Sequence, residues 1–142
     1  MTLIKLVILF IMLSACNSRA DVAITEAWVR ANAPGQSVGA AYMTFKSPLD
    51  ISLVSIEADA AGSVEIHSMS MSNGVMKMRM LDELVIKAGK PEKLAPGGFH
   101  LMLFDLKKSL KAGKSVTFKL SFKDKTNKIS TQSVVLPIKE VN

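Results

Sequence analysis

Only two histidines occur in this chain of 142 residues, and each stands in a stretch where methionine recurs beside it. His67 opens a segment holding five of the nine methionines, Met69, Met71, Met76, Met78 and Met80. His100 is followed two residues later by Met102. Thioether sulfur is a soft, neutral, polarizable donor and imidazole a borderline one, so the combination suits copper(I). Magnesium, calcium and manganese prefer hard oxygen ligands. Zinc sites draw on thiolate or carboxylate neighbours, and blue-copper electron-transfer sites use a cysteine ligand. The single cysteine, Cys16, lies in the leader. Methionine also survives as a ligand in oxidising compartments, where free thiols are drawn into disulfides.

The spacing turns this composition into an arrangement. Asn73-Gly74 is a strong two-residue hairpin signal, which pairs Ser72 with Val75, Met71 with Met76, Met69 with Met78 and His67 with Met80. Side chains alternate faces along a strand. One face of the hairpin therefore carries His67 and all five methionines, and the other carries Ser68, Ser70, Ser72, Lys77 and Arg79. On the second strand His100 and Met102 share a face, while Leu101 and Leu103 point the other way, toward the core. A methionine-lined strand face is more often core, because methionine fills irregular gaps, and an isolated strand histidine is more often structural. The joint arrangement, two histidines each with same-face thioethers, favours a soft-metal site.

The elements that must hold these residues are all short and extended. Val22–Arg30 and Gly39–Lys46 read as strands around a Pro34-Gly35 turn, followed by Ile51–Ala58, Ser63–Met71, Val75–Met80, Leu84–Lys87, Glu92–Ala95, Phe99–Asp105, Ser115–Lys123 and Ile129–Ile138. No window sustains a helical period, although Asp105–Leu110 could form one turn. Many short strands with regular turn chemistry indicate an all-β antiparallel sandwich or barrel, one domain over 21–142.

The leader reads as an export signal. Met1–Lys5 brings one positive charge, and Leu6–Leu13 is an apolar run too short to span a bilayer, which needs about 20 residues. Leu13-Ser14-Ala15-Cys16 has the form of a lipobox, making 1–15 a lipoprotein signal with lipidated Cys16 as a membrane anchor. Ser18-Arg19-Ala20 alternatively gives a 1–20 signal and a soluble product beginning at Asp21. The lipobox is favoured because it follows the apolar run directly and accounts for the lone cysteine. Either route predicts a periplasmic location. The net charge of +6 is spread along the chain, and its densest stretch, Lys119–Lys128, reads as a solvated strand face. With one Trp and one Tyr, nucleic acid is not an expected partner. No Ser-His-Asp set or paired-carboxylate arrangement is legible, so an enzyme is not expected.

These residues resemble the periplasmic copper chaperones of the PCu(A)C family. The family's signature is a His, ten residues, a Met, twenty-one residues, then His-x-Met, and His67, Met78, His100 and Met102 match it without a gap. Val64-Glu65-Ile66-His67, Asn73 through Arg79, Leu94 through Leu103, Ala27-Trp28-Val29-Arg30 and Gly39-Ala40-Ala41-Tyr42 are similar as well, so the resemblance spans the exported domain. It implies a cupredoxin-like β-sandwich, a monomer, that binds one Cu(I) through those four side chains. The implied destination is the dinuclear CuA centre of cytochrome c oxidase, with subunit II or a Sco-type copper protein as acceptor or donor. A periplasmic copper-buffering or resistance protein without a dedicated acceptor would use the same site. The resemblance selects Met78, diagonal to His67 in the hairpin register, and leaves Met69, Met71, Met76 and Met80 as core or outer-shell residues. Some members carry a His- and Met-rich tail for a second copper; Val134–Asn142 contains neither residue, so no such tail site is expected.

Overall fold

The structure, a computed structural model, describes residues 21–141; the leader and Cys16 lie outside the described residues. Ten strands follow one another: β1 Ala23–Arg30, β2 Gly39–Lys46, β3 Ile51–Ala58, β4 Ala61–Ser72, β5 Val75–Leu81, β6 Leu84–Ile86, β7 Glu92–Lys93, β8 His100–Leu106, β9 Ser115–Asp124 and β10 Ile129–Lys139. Their hydrogen-bonded order is β5-β4-β8-β2-β1-β10-β9-β3-β6, with β7 added against β2. The path folds into two layers that enclose one core. Its largest fully buried side chains include Phe45, Phe118, Phe122, Met43, Leu53, Leu101 and Leu120. Alternation produces this directly: along β9, Val116, Phe118, Leu120 and Phe122 are buried while Thr117 and Lys119 are exposed.

The all-β expectation is borne out, and the sheet is not closed into a barrel. Two details differ from the sequence reading. The sandwich is not purely antiparallel, because β1 and β10 pair in parallel at Val29↔Ile138 and Arg30↔Lys139. This junction joins the two layers, and parallel neighbours come from strands far apart in sequence. Asp105–Leu110 forms no helical turn. The strand continues to Leu106, Asp105 takes a left-handed φ of 51°, and the chain bends so that the Leu110 amide donates to Asn32 Oδ1 at 2.7 Å. That contact buries Leu110 completely. It lies so close to β2 that a Cβ at Gly39 would meet Leu110 Cδ1 at 2.6 Å, so a larger residue there would displace the Leu110 side chain.

Two features position the functional residues. The β4–β5 connection is the Asn73-Gly74 turn, with φ of 50° and 75°, the doubly positive pair that a two-residue type I′ hairpin requires. It sets the register His67↔Met80, Met69↔Met78, Met71↔Met76 and Ser72↔Val75, as expected from the turn chemistry. The second feature is the seating of β4 against β8, which places His67 directly opposite His100 and Glu65 opposite Met102.

Candidate metal centre

Leu101 and Leu103 are fully buried on the core side of β8, and Ile66 is buried on the core side of β4. Strand alternation then turns His100, Met102 and Phe104, together with Glu65, His67 and Met69, to the opposite face. Core burial at the alternate positions thus sets the direction of both histidines. Their rings lie 5.8 Å apart at 46°, and Phe104 packs 6.0 Å from the His67 ring. His100 is 4% exposed and its Nδ1–H donates to the Gly98 carbonyl at 3.0 Å, which leaves the Nε2 lone pair available. Gly98 follows Gly97, whose φ of 87° bends the chain just ahead of β8.

His67 is held in a complementary way. Its Nε2–H donates to Glu65 Oε2 at 2.8 Å, which makes Nδ1 the unprotonated nitrogen. Among the described residues, that Nδ1 is the one buried side-chain nitrogen or oxygen without a hydrogen-bond partner. Leaving such an atom unsatisfied costs about 1–3 kcal/mol. The two rings therefore present one lone pair each, fixed by different partners. A carboxylate or carbonyl behind a metal-binding imidazole is the usual device for setting tautomer and ring orientation.

Glu65 was missing from the sequence-based set. Its signal was available, because it stands two residues before His67 on the same strand face. Its carboxylate is engaged with His67, and no group of three or more His, Cys, Asp or Glu among the described residues is arranged to hold a metal ion. The other soft donors on the imidazole face are the methionine thioethers.

The register treats the predicted residues unequally. His67 and His100 are directly paired. Met102 is two residues from His100 on the same face, and half-buried. Met78 sits one pair farther out on the hairpin, opposite Met69 and diagonal to His67, and it is 51% exposed. Met78 and Met102 flank the imidazole pair from opposite sides. Their partners on β4, Met69 and Glu65, are four residues apart, roughly 13 Å at the normal strand rise. Met80 is the thioether directly across from His67. Of the four methionines read as core or outer-shell residues, Met71, Met76 and Met80 are more than half exposed and so are not core, while Met69 is half-buried. These methionines share the face of His67, which strand alternation turns away from the core, so they meet solvent and not the opposite layer.

A family profile described as "Putative lipoprotein LpqE-like" matches residues 22–135. The chain belongs to the LpqE-like family. A "Putative lipoprotein" of Leifsonia xyli subsp. xyli (strain CTCB07) is 32% identical over 120 residues, covering 84% of this chain and 70% of its own length. The apo PCuAC domain from PmoF1 superposes with a TM-score of 0.68 over 86% of this chain and 97% of that domain. At 21% identity it speaks for the fold, which is cupredoxin-like. The DR1885 protein of Deinococcus radiodurans, in its apo form, is 31% identical with a TM-score of 0.63, covering 87% of this chain and 82% of that one. The same protein has also been solved with Cu(I) at 30% identity, a TM-score of 0.60 and coverage of 86% and 81%.

Proposed function

We propose that this protein is an extracytoplasmic copper(I) chaperone that carries one ion between His67 and His100, with thioether ligands from Met102 and Met78. The observation that carries the proposal is the buried, partnerless Nδ1 of His67 placed directly across from His100. A soft ion accepts that lone pair and the Nε2 lone pair of His100 without disturbing either outer hydrogen bond. Two further facts support the reading: the similar Deinococcus protein has been solved with Cu(I), and the LpqE-like description speaks of lipoproteins, which agrees with the lipobox at Cys16.

The donor set is neutral, two imidazoles and two thioethers, so it favours copper(I) over copper(II). Copper is cargo here, so the site must also release it. Met78 sits on the exposed hairpin, where an acceptor's ligand can reach the ion while both imidazoles still hold it. Transfer then proceeds by exchange, each new bond forming before an old one breaks, with the ion's charge unchanged. Met78 is a diagonal neighbour of His67, a separation that a long flexible side chain can span. The destination we assign is the CuA centre of cytochrome c oxidase, with subunit II or a Sco-type protein as the receiving partner.

Competition against a copper(I) chelator tests the site. H67A, H100A and M102A are expected to lose tight binding and M78A to weaken it, with circular dichroism reporting a retained fold. M80A should leave tight binding intact. Undiminished affinity in H67A or H100A would end the proposal. Mixing the loaded protein with the soluble CuA domain of subunit II, separating the two and measuring the copper in each tests delivery; copper that stays with the carrier would refute it.

A further inference from the structure

The tip of the β4–β5 hairpin exposes methionine where a solvated ribbon has no packing reason for it. Met71 is 70% exposed and Met76 56%, and the two face each other across the ladder. The next pair inward on the same face is Met69 with Met78, and the next is His67 with Met80. Directly opposed side chains have their Cβ atoms about 4.5–5.5 Å apart, and methionine has three rotatable side-chain bonds, so both sulfurs of one pair can reach a single ion. No Asp or Glu occurs from His67 to Leu81, and the reverse face carries Lys77 and Arg79. Hard divalent cations find no carboxylate there and meet positive charge. A monovalent soft ion suffers least from that charge and gains most from sulfur.

We propose that Met71 and Met76 form a second, outer copper(I) subsite, which captures the ion and passes it along the thioether ladder to the histidine pair. This rests on the copper-carrier reading and adds an entry route to it. Each step exchanges one Cu–S bond for another, the incoming sulfur bonding before the outgoing one leaves. The ion stays monovalent throughout, and no electron or proton moves. The Met69–Met78 pair bridges the tip and the site, because it is the same-face pair between Met71–Met76 and His67–Met80.

The test uses the full chain carrying C16S, which removes its one thiol, labelled with carbon-13 at the methionine ε-methyls and titrated with silver(I), then with a copper(I) chelate. The wild-type background is expected to take two equivalents, with the Met71 and Met76 methyls shifting as the second is added. M71L/M76L keeps the volume and apolarity of the tip and loses its sulfur. It should bind one equivalent with unchanged affinity and load more slowly from the chelate. If those methyls stay unmoved through two equivalents, or if M71L/M76L retains the second equivalent and the wild-type loading rate, the outer subsite is refuted and the face is an apolar contact surface. H67A/H100A separates the two claims. Loss of the first equivalent there upholds the inner site, and its retention overturns the carrier reading. In both cases the response at Met71 and Met76 alone decides the outer one.

Discussion

Replacing Glu65 by alanine isolates the group that orients His67. The perturbation removes one hydrogen bond of 2.8 Å between side chains that are 12% exposed for His67 and 38% for Glu65. Losing the partner behind a metal-bound imidazole lowers metal affinity by about 10–100-fold, or about 1.4–2.7 kcal/mol. Glu65 is open enough for water to take its place as acceptor, so the low end applies, about tenfold. Ring rotation sets this figure: without Glu65 the imidazole is free to turn Nδ1 out of register with His100. E65Q keeps an oxygen acceptor and loses the charge, and charge-assisted hydrogen bonds are roughly twice as strong as neutral ones, so its loss should fall between wild type and E65A. The assay is competition with a copper(I) chelator at fixed pH, run beside chemical denaturation of the apo protein. A purely structural Glu65 would lower apo stability and leave affinity alone; an orienting Glu65 does the reverse. Wild-type affinity in E65A would refute the assignment of Nδ1 as the donor atom.

Two other consequences can be measured on the apo protein. G74A places a side chain at a φ of 75° with open space around its Cβ, so its cost is backbone strain of roughly 1–2 kcal/mol. Amide exchange in the β4–β5 hairpin should accelerate by about 5–30-fold with little change in the β9–β10 pair, and equal acceleration in both would contradict a local effect. Asp124, at the β9–β10 turn, has its carboxyl held below the usual range, first by the Thr126 hydroxyl and then by the Lys128 amide. A depressed folded-state value contributes stability above the unfolded value, and that contribution is lost as the pH falls through the folded one. D124N keeps the acceptor oxygen without the titration, so its stability should fall less steeply than wild type below about pH 4. Identical acid profiles would refute this.

The strands and the hairpin register were open to inspection in the residues themselves. Asn73-Gly74 dictates a doubly positive turn, the turn dictates which residues oppose one another, and alternation assigns every side chain to a face. Each of these steps connects neighbours in the chain, so local stereochemistry suffices. The His-Met spacing likewise sufficed for the resemblance, because a family pattern is a property of sequence order. What lay beyond it was non-local. Nothing near His67 says that β4 will seat against β8 with His100 directly opposite, 33 residues away. That register comes from packing Ile66, Leu101 and Leu103 into a core shared with the other layer. The same packing leaves His67 Nδ1 buried and unpartnered and gives Glu65 its role. It also fixes Ile66 as the inward side of β4, which turns the methionine face outward into water. The parallel β1–β10 seam was equally hidden, since it joins the two ends of the chain. Local sequence determined what each strand presents; only the closing of two layers on one core decided which presented groups meet.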